Sequence, residues 1–192
     1  MSDGMNAPVL DFSFQCTWKA EILSARPAIL PARHFVYPRN VEEVERGALE
    51  VLVRTNEPGA SPFLATCALG FRDPVVPTGI WSAPNPREIC AIAGGYAYLI
   101  DTTAPDRFTM LPYRPVLQVH PVVDQGMLLF VGNRTILAWG AAGVAWETKK
   151  LSDEGVTITG VEGGQLRGLG WNLMADKESP FKLDLQSGEQ VR

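Results

Sequence analysis

FKLDLQSGEQV, residues 181–191, reads as a strand, a tight turn and the start of a second strand. Phe181, Leu183 and Leu185 alternate with Lys182, Asp184 and Gln186, the period-two pattern of a half-buried strand, and Ser187-Gly188 supplies the turn. Two earlier segments, YLIDTTAPDRF (98–108) and ILAWGAAGVAW (136–146), share this layout. Aligned on Asp101, Trp139 and Asp184, they carry apolar residues three positions before the anchor (Tyr98, Ile136, Phe181) and one before it (Ile100, Ala138, Leu183). Turn formers follow four positions after the anchor (Pro105, Gly143, Gly188), and apolar residues seven after (Phe108, Trp146, Val191). The anchors are 38 and 45 residues apart. Roughly 40–45 residues with about four short strands is the period of a propeller blade. Upstream, Arg54 and Asp11 anchor weaker copies, interrupted at Ser61 and at Pro8 and Gln15.

The flanking sequence is read in the same terms. From Glu88 to the end, short apolar runs are punctuated by Gly94-Gly95, Gly132-Asn133 and Gly163-Gly164, as in hairpins. Leu49, Val51 and Val53 alternate with Glu50 and Arg54, which predicts a half-buried strand with Glu50 toward solvent. FLATCALGF (63–71) is continuously apolar and predicts a central strand, and HFVY (34–37) a further one. DPVVPTGIWSAPNPRE (73–88) is too Pro-rich for a central strand and predicts an ordered loop. Residues 1–8 read as a loose polar arm. Asn40 as N-cap, with Glu43 in the first turn, predicts one short helix over residues 41–46, stopped by Gly47. The expected fold is a single all-β domain over residues 1–192, a β-propeller-like array of short antiparallel strands, its repeats best defined in 88–192. A β-sandwich gives the same strand spacing and is the structural alternative.

MLLFVGNRTILAWGAAGVAWE (127–147) and SPFKLDLQSGEQV (179–191) resemble repeats of the pyrroloquinoline-quinone-type β-propellers, whose unit ends a strand in Leu-Asp and continues through Thr-Gly to Trp. Leu183-Asp184 and Ser187-Gly188 follow that pattern with Val191 in place of Trp. Gly143 and Trp146 follow it with Trp139 in place of Asp. The resemblance covers the C-terminal part of the chain and implies a fold, not a chemistry. Nothing matches a quinone site residue by residue, so no cofactor is expected.

A formal net charge of −4 over 192 residues, with no Lys/Arg cluster beyond Lys149-Lys150, argues against nucleic acid. No apolar run approaches the roughly 20 residues of a membrane span, and the N-terminus lacks the pattern of a leader. Cys16, Cys67 and Cys90 are odd in number and widely spaced; they read as free thiols in a reducing, cytoplasmic setting. Cys67 and Cys90 lie in apolar runs that would bury them, which disfavours a nucleophile. His34 and His120 share no metal-ligand spacing, and alternation places His120 on the face of Gln118 as a hydrogen-bonded strand residue. Gly168-Leu169-Gly170 has no following helix and so makes no dinucleotide loop. Asp101 and Asp184 occupy one repeat position, as expected of residues that serve a turn.

No catalytic or metal-ligating residue is assigned. The loop residues with the character of binding anchors are Trp81, Asn85 and Arg87, and then Tyr113 and Arg114. The expected function is a non-catalytic binding or protein-interaction module with a protein or glycan partner. The alternative is a small carbohydrate- or ester-active hydrolase using carboxylates such as Asp101, Asp124 and Asp184 on one face. A third reading is a subunit with an open sheet edge, a route to homo-oligomers or to completion by a partner.

Overall fold

The computed structural model describes residues 7–39 and 44–191. It is all-β: four sheets of three to five short strands, three of them built mainly from strands consecutive in the chain. The strands are β1 (Val9–Asp11), β2 (Trp18–Leu23), β3 (His34–Tyr37), β4 (Ala48–Thr55), β5 (Phe63–Ala68), β6 (Gly79–Ser82), β7 (Glu88–Ala93) and β8 (Tyr96–Asp101). They continue as β9 (Phe108–Met110), β10 (Gln118–Val122), β11 (Met127–Val131), β12 (Ile136–Gly140), β13 (Gly143–Glu147), β14 (Val156–Glu162), β15 (Gln165–Asn172) and β16 (Lys177–Asp184). A 3-10 turn, Val123–Gln125, separates β10 from β11. Half of the helix expected over 41–46 lies outside the described residues; Val44 is helical, and the chain turns at Glu45 and Arg46. Most of the arm expected over residues 1–8 lies outside them too. The chain forms two compact units, Met1–Pro115 and Val116–Arg192.

The first unit contains the sheets β2-β4-β5-β3 and β1-β6-β7-β8-β9. Its core gathers Trp18, Tyr37, Leu49, Val51, Val53, Phe63, Ile80, Ile89, Tyr98 and Ile100. FLATCA of β5 is buried at every position because the strand lies between β4 and β3. Two edge strands depart from the antiparallel expectation: β1 joins β6, and β3 joins β5, in parallel. The segment expected to be loop over 73–88 also contains a strand, β6, flanked by β1 and β7. Its prolines, at 74, 77, 84 and 86, bracket Gly79–Ser82 without entering it, so every strand residue keeps the N–H the ladder needs.

Glu50 is a second correction. Alternation sends Leu49, Val51 and Val53 inward as expected, yet Glu50 on the opposite face is only 6% exposed. Its register partner on β5 is Thr66, whose hydroxyl donates to Glu50 Oε2 at 2.6 Å. Arg26 Nε donates to Oε1 at 2.8 Å. With the Thr66 hydrogen committed to Glu50, its oxygen accepts from His34 Nε2 at 2.8 Å. The carboxylate is buried because four residues from three strands and the segment after β2 satisfy one another.

The second unit contains the sheets β10-β11-β12-β13 and β14-β15-β16, antiparallel throughout. Leu129, Val131, Ile136, Ala138, Trp146, Leu166, Leu183 and Leu185 form its core. The Gly163-Gly164 turn has φ of +59° and +75°, the left-handed pair a two-residue hairpin requires. The EQV strand expected after β16 is reduced to one bridge, Leu183 to Gln190. Lys182 O accepts from Val191 N and Asp184 N donates to Glu189 O, so these residues face the outer edge of β16. By alternation Pro180 faces it as well and offers no N–H, which protects that edge against strand addition.

Asp101 and Asp184 serve their turns. Asp184 Oδ1 accepts from the N–H groups of Gln186 and Ser187 and from the Ser187 hydroxyl, at 2.9–3.0 Å. Asp101 Oδ1 accepts from the N–H and hydroxyl of Thr103, at 2.9 and 2.7 Å, and from Ala104 N–H at 3.3 Å. The turn after Trp139 closes over Ala141 and Ala142 alone and uses no carboxylate. Hydrogen bonds from Ser187 and Gln186 hold Asp184 below its ordinary pKa of 3.8. At Asp101 partial burial pushes upward, but the bonds from Thr103 and Ala104 and the charge of Arg87 outweigh it. A folded pKa below the unfolded one contributes stability that is present above pH 3.8 and is lost as pH falls through the folded value. The variant Asp101→Asn/Asp184→Asn is therefore expected to show a shallower fall in Tm on acidification below about pH 4. An unchanged acid limb in thermal scans would refute this role.

Candidate interaction surface

The turn Gly94-Gly95 joins β7 to β8, and two neighbouring segments are tied to it. Gly70 N and Phe71 N donate to Ala93 O and Gly94 O, at 3.0 and 2.8 Å. Gly95 N donates to Pro77 O at 3.0 Å, and Gly94 N to Thr78 Oγ1 at 2.9 Å. Residues 69–72 thus lie directly over the turn. Tyr96, the first residue of β8, packs edge-on against Phe71 with ring centroids 6.0 Å apart and planes at 83°. Arg114 lays its guanidinium over the Tyr96 ring at 5.1 Å and reaches Met110 Sδ at 3.4 Å. On the Gly47 side of the same segment, Arg72 Nη2 donates to Arg46 O at 2.6 Å. Phe71 is 43% exposed and Val75 76% exposed. The result is an exposed Phe71 in edge contact with a half-buried Tyr96, with Arg114 over the Tyr96 ring, on a hydrogen-bonded frame.

Gly70 makes this approach feasible. A Cβ there would lie 2.3 Å from Tyr96 Cδ1 and 2.6 Å from Gly94 O. Gly70→Ala is expected to displace the Tyr96 ring and break the Arg114 stack, read as changed Tyr96 ring shifts in NMR with the β core signals retained. An unmoved Tyr96 signal would show that the segment can lift away freely.

The residues expected to bind are distributed differently. Trp81 is 4% exposed within β6, paired with Asp11 and Cys90, and belongs to the interior. Asn85 is half-buried and its Oδ1 accepts from Arg87 N, so it shapes the loop. Arg87 is exposed; its carbonyl accepts from Thr102 N and Oγ1, and its charge acts on Asp101. Tyr113 is half-buried and Arg114 exposed. Asn85 and Arg87 precede β7, whereas Tyr96 and Arg114 gather at its far end, roughly 20 Å away for a six-residue strand. Of the expected set, Arg114 meets Tyr96. Phe71, Arg72 and Tyr96 were missed because they sit in or beside runs that read as plain strands. The signals available were the glycines next to them, Gly70 and Gly94-Gly95, which mark close backbone approach.

The other chemical candidates are committed elsewhere. Cys67 and Cys90 are buried, and burial raises both thiols well above the ordinary range. His120 pairs with Gln118 Oε1 at 3.1 Å, and burial lowers its pKa. No cluster of three or more His, Cys, Asp or Glu side chains suited to a metal occurs among the described residues. No helix among them is long and apolar enough to cross a membrane.

No family model matches the chain, and no curated protein matches it. Among solved structures it is similar to that of BBS1N in complex with ARL6DN, over 74% of this chain and 44% of that one, with 14% identity and a TM-score of 0.39. At that level neither the fold nor the partner of that protein transfers to this chain, which spans less than half of its length.

Proposed function

We propose that this chain is a non-catalytic binding module that takes a protein partner on the surface made by Phe71, Tyr96 and Arg114. The observation that carries the reading is the stacking of Arg114 on a ring that itself packs on an exposed Phe71. Aromatic residues and arginine are the side chains most enriched at binding hot spots, and here hydrogen bonds tie the backbone segment that carries Phe71 to the turn that precedes Tyr96 before any partner arrives. The carboxylates Asp101 and Asp184, the natural starting points for a hydrolase, spend Oδ1 on their own turns.

A photoreactive amino acid in place of Val75, introduced in the native cell, tests the reading. A protein adduct is expected at that position and not at a control placed at Arg87. The adduct is expected to disappear in a Phe71→Ala/Arg114→Ala background that keeps the wild-type circular dichroism spectrum. An adduct indifferent to that double substitution, or one equally strong from position 87, would remove the surface from consideration.

A further inference from the structure

Resting on that reading, we infer that the Phe71–Tyr96–Arg114 surface recognises an acidic peptide segment of a partner protein, one that presents an apolar side chain between or beside its carboxylates. The argument is charge complementarity on an apolar platform. The chain as a whole is acidic, with a formal net charge of −4, yet Arg114 stands over the ring of the aromatic pair and Arg72 directly follows Phe71 in the chain. Neither Arg72 nor Arg114 pairs with a described carboxylate; the arginine ion pairs among the described residues are those of Arg26 with Glu50, Arg39 with Asp106 and Arg54 with Glu21.

Each guanidinium has five N–H donors in a planar fork. Arg114 spends one nitrogen on the weak acceptor Met110 Sδ, and Arg72 spends one on Arg46 O. The Tyr96 ring restrains the guanidinium of Arg114, whose remaining donors can engage a carboxylate through two parallel bonds. Asp73, on the segment that follows Arg72, already accepts from Val75 N–H at 2.9 Å. The apolar requirement comes from Phe71, about half of whose side chain faces solvent.

The test is selection of phage-displayed random short peptides on the intact, folded chain, followed by affinity measurement of a selected synthetic peptide by fluorescence anisotropy. Enrichment of Asp and Glu next to Phe, Leu or Trp is expected. Affinity should fall about tenfold or more with Arg114→Glu, and measurably with Arg114→Lys, which keeps the charge but loses the fork. Selected peptides without acidic residues, lost with Phe71→Ala but indifferent to Arg114→Glu, would overturn the acidic partner and leave the binding surface standing. Peptides indifferent to both substitutions would overturn the surface as well. Binding of phosphatidylserine vesicles through Arg72 and Arg114, with no peptide selected, would overturn the inference in favour of a membrane.

Discussion

Gly188→Ala is expected to destabilise the second unit by about 3 kcal/mol, the sum of a backbone and a packing effect. Gly188 has φ of +70°, and an alanine there costs about 1 kcal/mol or slightly more. Its Cβ would lie 2.5 Å from Trp146 Cε3 and 2.6 Å from Cδ2. The indole has nowhere to retreat: it is 7% exposed, lies among the core residues of this unit, and its Nε1 donates to Leu185 O at 2.7 Å. Overpacking a well-filled core costs about 1–3 kcal/mol more. Gly155→Ala is the matched control, because Gly155 has φ of +82° with nothing within 4 Å of its Cβ position. It should lose the backbone contribution alone. Urea titrations of both variants decide the matter; equal losses would mean that Trp146 yields without cost. Gly188 is thus required by Trp146, a coupling across 42 residues of chain.

Glu50→Ala is expected to cost about 3 kcal/mol, and for a different reason. Removing the carboxylate leaves the Thr66 hydroxyl, fully buried, without its acceptor, and strips Arg26 of its partner. Most of the loss should come from Thr66 and the buried cavity, because Arg26 is 44% exposed and water can replace Glu50 around it. Arg26→Met is accordingly expected to lose about 1 kcal/mol or less. Glu50→Gln should fall between, since its amide oxygen can still accept from Thr66. A Glu50→Ala variant no less stable than Arg26→Met in equilibrium denaturation would show the network to be dispensable.

Both predictions bear on how much of the molecule could be read in advance. Strands over HFVY (34–37) and residues 49–53 appear where alternation or unbroken apolarity placed them, whereas the run expected as a strand over 63–71 forms one only over 63–68. The turn role of Asp101 and Asp184 was legible because a short carboxylate beside Thr103 or Ser187 needs only residues within three positions. The strand inside 73–88 was not legible, since counting prolines over the whole segment hides the proline-free stretch at its centre. The proposed interaction surface was legible in one residue, Arg114. Its aromatic partners come from residues 71 and 96, and nothing near Arg114 in sequence points to either.

By itself the sequence determined the all-β character and the chemistry of the Asp101 and Asp184 turns. These depend on a side-chain period of two and on hydrogen bonds closed within a few residues. Only the tertiary structure decided that Glu50 would be buried with Thr66, His34 and Arg26, that Trp81 would face inward, and that Phe71, Tyr96 and Arg114 would meet. Those outcomes follow from which strands become neighbours and on which edge β1 and β3 add in parallel. Strand order is set by burial and ladder hydrogen bonds between segments far apart in the chain, and such long-range choices leave no local pattern to read.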